Sequence, residues 1–338
     1  WGLSERLVDL DRRFGFETTQ NWNLSDKVAL GSVTAINWSQ SYTGYEIDRA
    51  DYNADGTQLY DYQDQQYTEL IRGAVLQNLS MRIHEHTKIQ FLNFITQYGE
   101  NRSTIRRGEN VDRGNDIRSS ALYYLGKTMY SGQLTAVHHI NGLENHQIDW
   151  TAGLTYTDRN EPDFRRLTYA RPRGSDERYQ ATIPATQPIA EEAGRFFSRM
   201  RERGINGELK YTYFFGFLNN SEKAEFEVGG FTLHKARNLD ARIFGYTNPN
   251  SATFERTLPQ DELFRNENVG TEGPFELEEA TRPSDQFYGT DHTAAGFASV
   301  TLPFFGDKLF VNAGIRTEYN NQYLDTRFFS NEDLTIDT

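Results

Sequence analysis

Three groups of side chains in this chain have the types and spacing for chemistry. Asp51-Tyr52-Asn53-Ala54-Asp55-Gly56 sets oxygen-bearing side chains at alternate positions ahead of a glycine, as the opening of a calcium loop does. Asp51, Asn53 and Asp55 are therefore candidate calcium ligands. The bidentate Glu such a loop needs at its twelfth position is replaced by Tyr62, and Asp61 or Asp64 would serve only through a different wrap. A solvated acidic turn is the competing reading. His84-Glu85-His86 offers two imidazoles and a carboxylate to zinc, but no third ligand is evident, and a plain polar turn explains it as well. His138, His139 and His146 also fit a strand end and turn. The third group is basic. Arg165, Arg166, Arg171 and Arg173, flanked by Arg159 and Arg178, have the forked geometry that binds carboxylates and phosphates, in a ligand or in lipopolysaccharide. Glu161, Asp163, Asp176 and Glu177 offer these arginines internal ion pairs instead.

Other classes are removed by what is missing. No phosphate-cradling glycine loop, nucleophile elbow or paired-histidine protease motif occurs, so no enzyme is expected, and no cofactor beyond the calcium candidate. The absence of Cys removes disulfides and thiolate sites. A net charge of −13 argues against nucleic acid. No apolar run approaches the ~18 residues of a membrane helix. The mean hydropathy of −0.73 leaves a membrane barrel open, because barrel strands are apolar on one side only.

The elements that must position these groups are strands. Ile148, Trp150, Ala152, Leu154 and Tyr156 fall on one face, against Asp149, Thr151, Gly153 and Thr155 on the other. Residues 205–213 and 308–319 repeat the alternation. Strands pair across short polar turns at Asn23–Asp26, His84–Thr87, Asn141-Gly142, Asn219-Asn220 and Phe304–Asp307. Between the pairs lie long polar connections, roughly 42–65, 99–116, 159–203 and 236–289. Within them, 189–200 fits an amphipathic helix or an upward extension of the following strand. About ten strands with short turns alternating with long loops predict an all-β fold, an antiparallel outer-membrane β-barrel. The short turns, near Ser25, Glu85, Asn141, Asn220 and Gly306, would face the periplasm. The loops near Tyr52, Arg106, Arg173 and Asn250 would lie outside the cell.

Several segments carry a family likeness. Tyr156-Thr157-Asp158-Arg159-Asn160-Glu161-Pro162-Asp163-Phe164-Arg165-Arg166 is followed in order by Arg195-Phe196-Phe197-Ser198, Phe226 to Gly230, Leu239-Asp240-Ala241-Arg242 and Phe244-Gly245-Tyr246. Thr281-Arg282-Pro283-Ser284-Asp285 and Ala313-Gly314-Ile315-Arg316-Thr317-Glu318 complete the set. The chain resembles TonB-dependent outer-membrane receptors, especially those of Bacteroidota. The resemblance favours a strand over 189–203. It implies a barrel of about 22 strands filled by an N-terminal plug, and energised import of a scarce nutrient such as a siderophore, glycan or peptide. Implied partners are outer-membrane lipid and lipopolysaccharide, the TonB motor acting through the plug, and a surface lipoprotein or other outer-membrane subunit. Neither plug nor TonB box is visible among these residues, and Asp337-Thr338 is not a terminal aromatic strand. Residues 1–338 are thus expected to be an interior section of the receptor barrel. A structural or assembly barrel and a secreted glycan-binding β-protein are the rival readings.

Overall fold

The computed structural model describes residues 9–140, 142–218, 221–249 and 254–326. They form one antiparallel sheet of twelve strands. Ten are long: β1 (Arg12–Ser25), β2 (Val28–Tyr52), β3 (Gln58–Ile83), β4 (Thr87–Asn110), β5 (Asn115–His139), β6 (His146–Pro172), β8 (Ala193–Phe215), β9 (Ala224–Thr247), β11 (Phe287–Phe304) and β12 (Leu309–Thr326). Two are short: β7 (Gln180–Ala181) pairs with β6, and β10 (Glu276–Glu279) pairs with β9. The path runs from β1 to β12 in chain order through the long strands, and those two end strands do not pair with each other. The described sheet is open. Its only α-helix is a single turn, Gln260–Leu263, and no described helix is long and apolar enough to cross a membrane, which says nothing of strands.

The short turns expected at 84–87 and 304–307 lie at residues 84–86 and 305–308, and the one expected at 23–26 narrows to 26–27 because β1 continues through Ser25. Asn141, Asn219, Asn220 and Asn250 lie outside the described residues. Two expected long loops are not loops. β2 and β3 pair continuously up to a hairpin at 53–57, and β4 and β5 up to one at 111–114. Tyr52 and Arg106 therefore sit in strands. Pairing satisfies the backbone amides and carbonyls there, while polar residues on both faces erase the hydrophobic alternation that marks a strand in the sequence. The helical alternative at 189–200 also gives way, since β8 starts at Ala193. Genuine excursions remain at 173–192 and 248–286.

Register places the apolar alternates of all ten long strands on one face. Ile36 pairs with Val75, Val75 with Ile95, Leu154 with Ile205, Tyr213 with Phe226 and Ala298 with Ile315. The apolar face is the uncovered one. Ile205 and Leu209 are 62% and 59% exposed, whereas Thr212 on the opposite face is 2% exposed. A compact apolar core forms elsewhere. Leu167, Ile183, Tyr246, Leu263, Phe264 and Phe275 bury one another where the 248–286 excursion folds back on β6 and β9, beyond the apolar stretch.

Candidate ligand-binding cavity

The polar face holds a cavity of about 600 Å³ at the end of the sheet away from the short turns. β2 through β6 supply its floor, and the 173–192 excursion closes one side with Thr182, Glu191 and Glu192. At its base Asp64, 2% exposed, is held by two strands' worth of arginine. Arg106 donates Nε and a terminal nitrogen to the carboxylate at 2.7 and 2.8 Å, and Arg49 donates Nε at 2.7 Å. Burial alone would push the Asp64 carboxyl up, but these hydrogen bonds outweigh it and hold the group below the ordinary carboxylate range. Gly108 allows the β3–β4 floor to close. Its φ is +149°, and a Cβ there would stand 2.0 Å from the Asp61 carbonyl oxygen.

A β-bulge determines which arginines reach this cavity. In β6 the interval from Glu161 to Phe164 opposes the shorter interval from Ser198 to Phe196 in β8. Pro162 lies within it, where its missing N–H is tolerated because the ladder is already interrupted. The extra residue reverses the faces. Below the bulge the odd-numbered residues of β6 share the polar face, and above it the even-numbered ones do, through pairs such as Ala121 with Arg166 and Ser119 with Thr168. Phe164 and Arg166 thereby line the cavity, while Arg165 is turned to the opposite face.

Most of the basic cluster is consumed by ion pairs. Arg159 pairs with Glu161, Arg165 with Asp163, Arg171 with Asp116 at 3.1 Å, Arg173 with Glu109 at 2.8 Å, and Arg178 with Glu255 at 3.3 Å. Arg166 is the exception. Among the described residues its guanidinium makes no hydrogen bond or ion pair and rests on the Phe164 ring, 4.3 Å from its centroid. Burial by the surrounding protein lowers its pKa although water reaches it from the cavity. Arg102 and Arg106 stack likewise on Tyr123 and Tyr62, at 4.5 and 4.9 Å. Tyr123 donates its hydroxyl to Glu161 at 3.0 Å. Burial and that carboxylate raise its pKa to about 12, so the phenol stays neutral. Arg49, Arg102 and Arg106 are not among the ligand candidates of the sequence, because they lie on strands that read as loops.

The other candidates meet structural partners. Asp51 and Asp55 accept the backbone amides of Tyr52 and Thr57 at 2.9 Å within the β2–β3 hairpin, and Asn53 joins its backbone to Thr57 there. No three His, Asp or Glu side chains gather as a metal ion requires among the described residues. His138 accepts the Trp150 indole N–H at 3.1 Å, and His146 lies 2.5 Å from the Tyr211 hydroxyl. Comparison of the chain with protein-family models and with curated proteins returns no match.

Proposed function

We propose that the chain is part of an outer-membrane β-barrel of the receptor and transporter kind, importing a nutrient that it first holds at the end of the sheet away from the short turns. One observation carries the reading: the sheet turns its apolar face outward and leaves it bare, while polar and charged groups such as Asp64, Glu161 and Thr212 are buried on the other face. In water, that arrangement would leave many large side chains unburied at roughly 1.5–3 kcal/mol each. Hydrocarbon removes the penalty. Over 148–156, 205–213, 294–302 and 309–319 the apolar face carries no Asp, Glu, Lys or Arg, and these lengths match the ~9–11 residues a tilted strand needs to cross a bilayer. Trp22, Trp150, Tyr211 and Tyr213 lie toward the short turns, and Trp38, Tyr130, Tyr156 and Tyr319 toward the other margin, as interfacial girdles would.

Polar side chains on this face satisfy one another, as lipid contact demands. Thr34 donates to Gln77 at 2.6 Å, Gln77 to Ser32 at 3.0 Å, and Tyr130 to Asn93 at 2.8 Å. At the same depth the polar face holds a charge network of Lys210 with Asp149 at 3.3 Å and Glu227 at 2.9 Å, suited to a wet or plugged lumen. Extraction tests the reading. The full-length protein should partition with outer membranes and stay monodisperse only in detergent, and a monodisperse detergent-free protein would contradict it. Import is tested separately, since uptake should stop when the inner-membrane proton gradient is collapsed; unchanged uptake would favour a passive or structural barrel.

A further inference from the structure

We propose that the cavity binds an anionic ligand, one bearing a carboxylate or phosphate group, through the open guanidinium forks of Arg166 and Arg102. The inference rests on the receptor reading for its direction, because it makes this cavity the place where a nutrient is caught. Its chemistry comes from the geometry.

The cavity gathers Arg49, Arg102, Arg106, Arg113 and Arg166 against Asp64, Glu191 and Glu192, a positive surplus within a chain of net charge −13. Ion pairs do not use all of it. Asp64 occupies Arg49 and Arg106, and Glu192 occupies Arg113 at 2.5 Å. Arg102 forms an ion pair with Glu100 at 3.6 Å, too long for a hydrogen bond, so its N–H donors are not committed to that carboxylate. Arg166 has no carboxylate partner among the described residues. Glu191 lines the same cavity and favours the charged form of Arg166 without pairing with it.

Stacking explains how these two guanidinium groups are kept ready. A ring beneath the plane of an arginine fixes its orientation and leaves its edge N–H groups free for a planar or tetrahedral anion. Thr104 of β4 pairs with Ala121 of β5, which pairs with Arg166 of β6. Arg102, two residues from Thr104, thus sits two strands from Arg166 on the same face, with the two backbones roughly 12 Å apart at ordinary strand spacing and rise. Two long side chains can close on one ligand across that gap. A neutral sugar fits less well. One face each of Tyr62, Tyr123 and Phe164, where a sugar ring would stack, is covered by arginine.

The test is calorimetric titration of the full-length protein in detergent at low salt, with inorganic phosphate and with citrate in separate runs. At least one should bind saturably. Citrate alone would assign the site to carboxylates, phosphate alone to phosphoryl groups, and both to a general anion site. Arg166→Gln and Arg102→Gln should each weaken binding by about tenfold, the loss of a charge-assisted hydrogen bond. Arg166→Lys, which retains charge but loses the fork, should lose less, and Arg173→Gln should bind as the parent does. Each variant is first checked for parental sheet content and heat-modifiable migration. No binding of either anion by the folded parent, or undiminished binding by folded Arg166→Gln, would overturn the inference. A protein that needs detergent yet binds neither anion defeats this inference alone; one that needs no detergent defeats the membrane reading and leaves the titration standing.

Discussion

From Ile71 to Ile83, β3 sends Ile71, Val75 and Leu79 outward onto a bare apolar face; from Gln58 to Thr68, the same strand carries Tyr62, Asp64 and Gln66 inward and Asp61, Gln63 and Gln65 outward. The backbone does not change, and the ladder to β4 continues without a break. What changes is the medium each half is built for. At about 3.3 Å per residue the 26-residue strand is roughly 85 Å long, far more than the ~30 Å of a hydrocarbon core. The half near the short turns places its hydrophobicity outward and its charges inward. The far half places charges on both faces, as a segment built for water does, and holds its shape with ion pairs, stacked rings and one small buried core. In the proposed reading the first half anchors the sheet in a membrane and the second holds the ligand.

The largest expected effect breaks the first half. Leu154→Arg introduces a charge on the apolar face and should destabilise insertion by roughly 2–4 kcal/mol near the bilayer midplane, whereas Thr155→Arg, one residue along on the polar face, should be tolerated much better. Folding of both full-length variants into lipid vesicles measures the contrast. Equal tolerance would remove the distinction between the faces.

That same contrast decides what could be read from sequence. Residues 148–156 announce a strand because one of their faces is apolar and the other polar. Residues 42–65 read as a loop because both faces are polar, although they form the paired tip of the β2–β3 hairpin. Local pairs such as Arg165 with Asp163 are visible two residues apart. Arg171 with Asp116 and Arg106 with Asp64 require the register of strands far apart in the chain. The bulge at Pro162 matters most for the site. A regular strand alternates faces without interruption, so only the structure reveals that Arg166 enters the cavity while Arg165 turns away.

Within the far half, Asp64→Asn should come next. It weakens charge-assisted hydrogen bonds from Arg106 and Arg49 and should cost about 1.5–3 kcal/mol in denaturant unfolding, less if solvent screens the two partly exposed arginines. The pH dependence follows from the depressed carboxyl. Its contribution is complete above about pH 4, the range of an unfolded aspartate, and is lost as pH falls through the lower folded value. Local hydrogen exchange in β3 and β4 should therefore rise below pH 4 in the parent and much less in the variant. Gly108→Ala should cost about 1–3 kcal/mol through backbone strain and contact with Asp61, with loss confined to the β3–β4 arm. Arg173→Gln is the mildest. Its partner Glu109 is half exposed, so the change should stay within about 1 kcal/mol.

The two-medium account is tested most directly by labelling single cysteines on intact cells, with no native Cys among these 338 residues to interfere. Ala54 and Arg173 mark the far end of the sheet, and Glu85 and Gly306 mark the short turns. After substitution by Cys in the full-length protein, a membrane-impermeant thiol reagent should modify the first pair on intact cells. The second pair should react only once the outer membrane is breached. Ready labelling of the Glu85 or Gly306 position on intact cells would contradict both the orientation and the membrane-spanning sheet on which it depends.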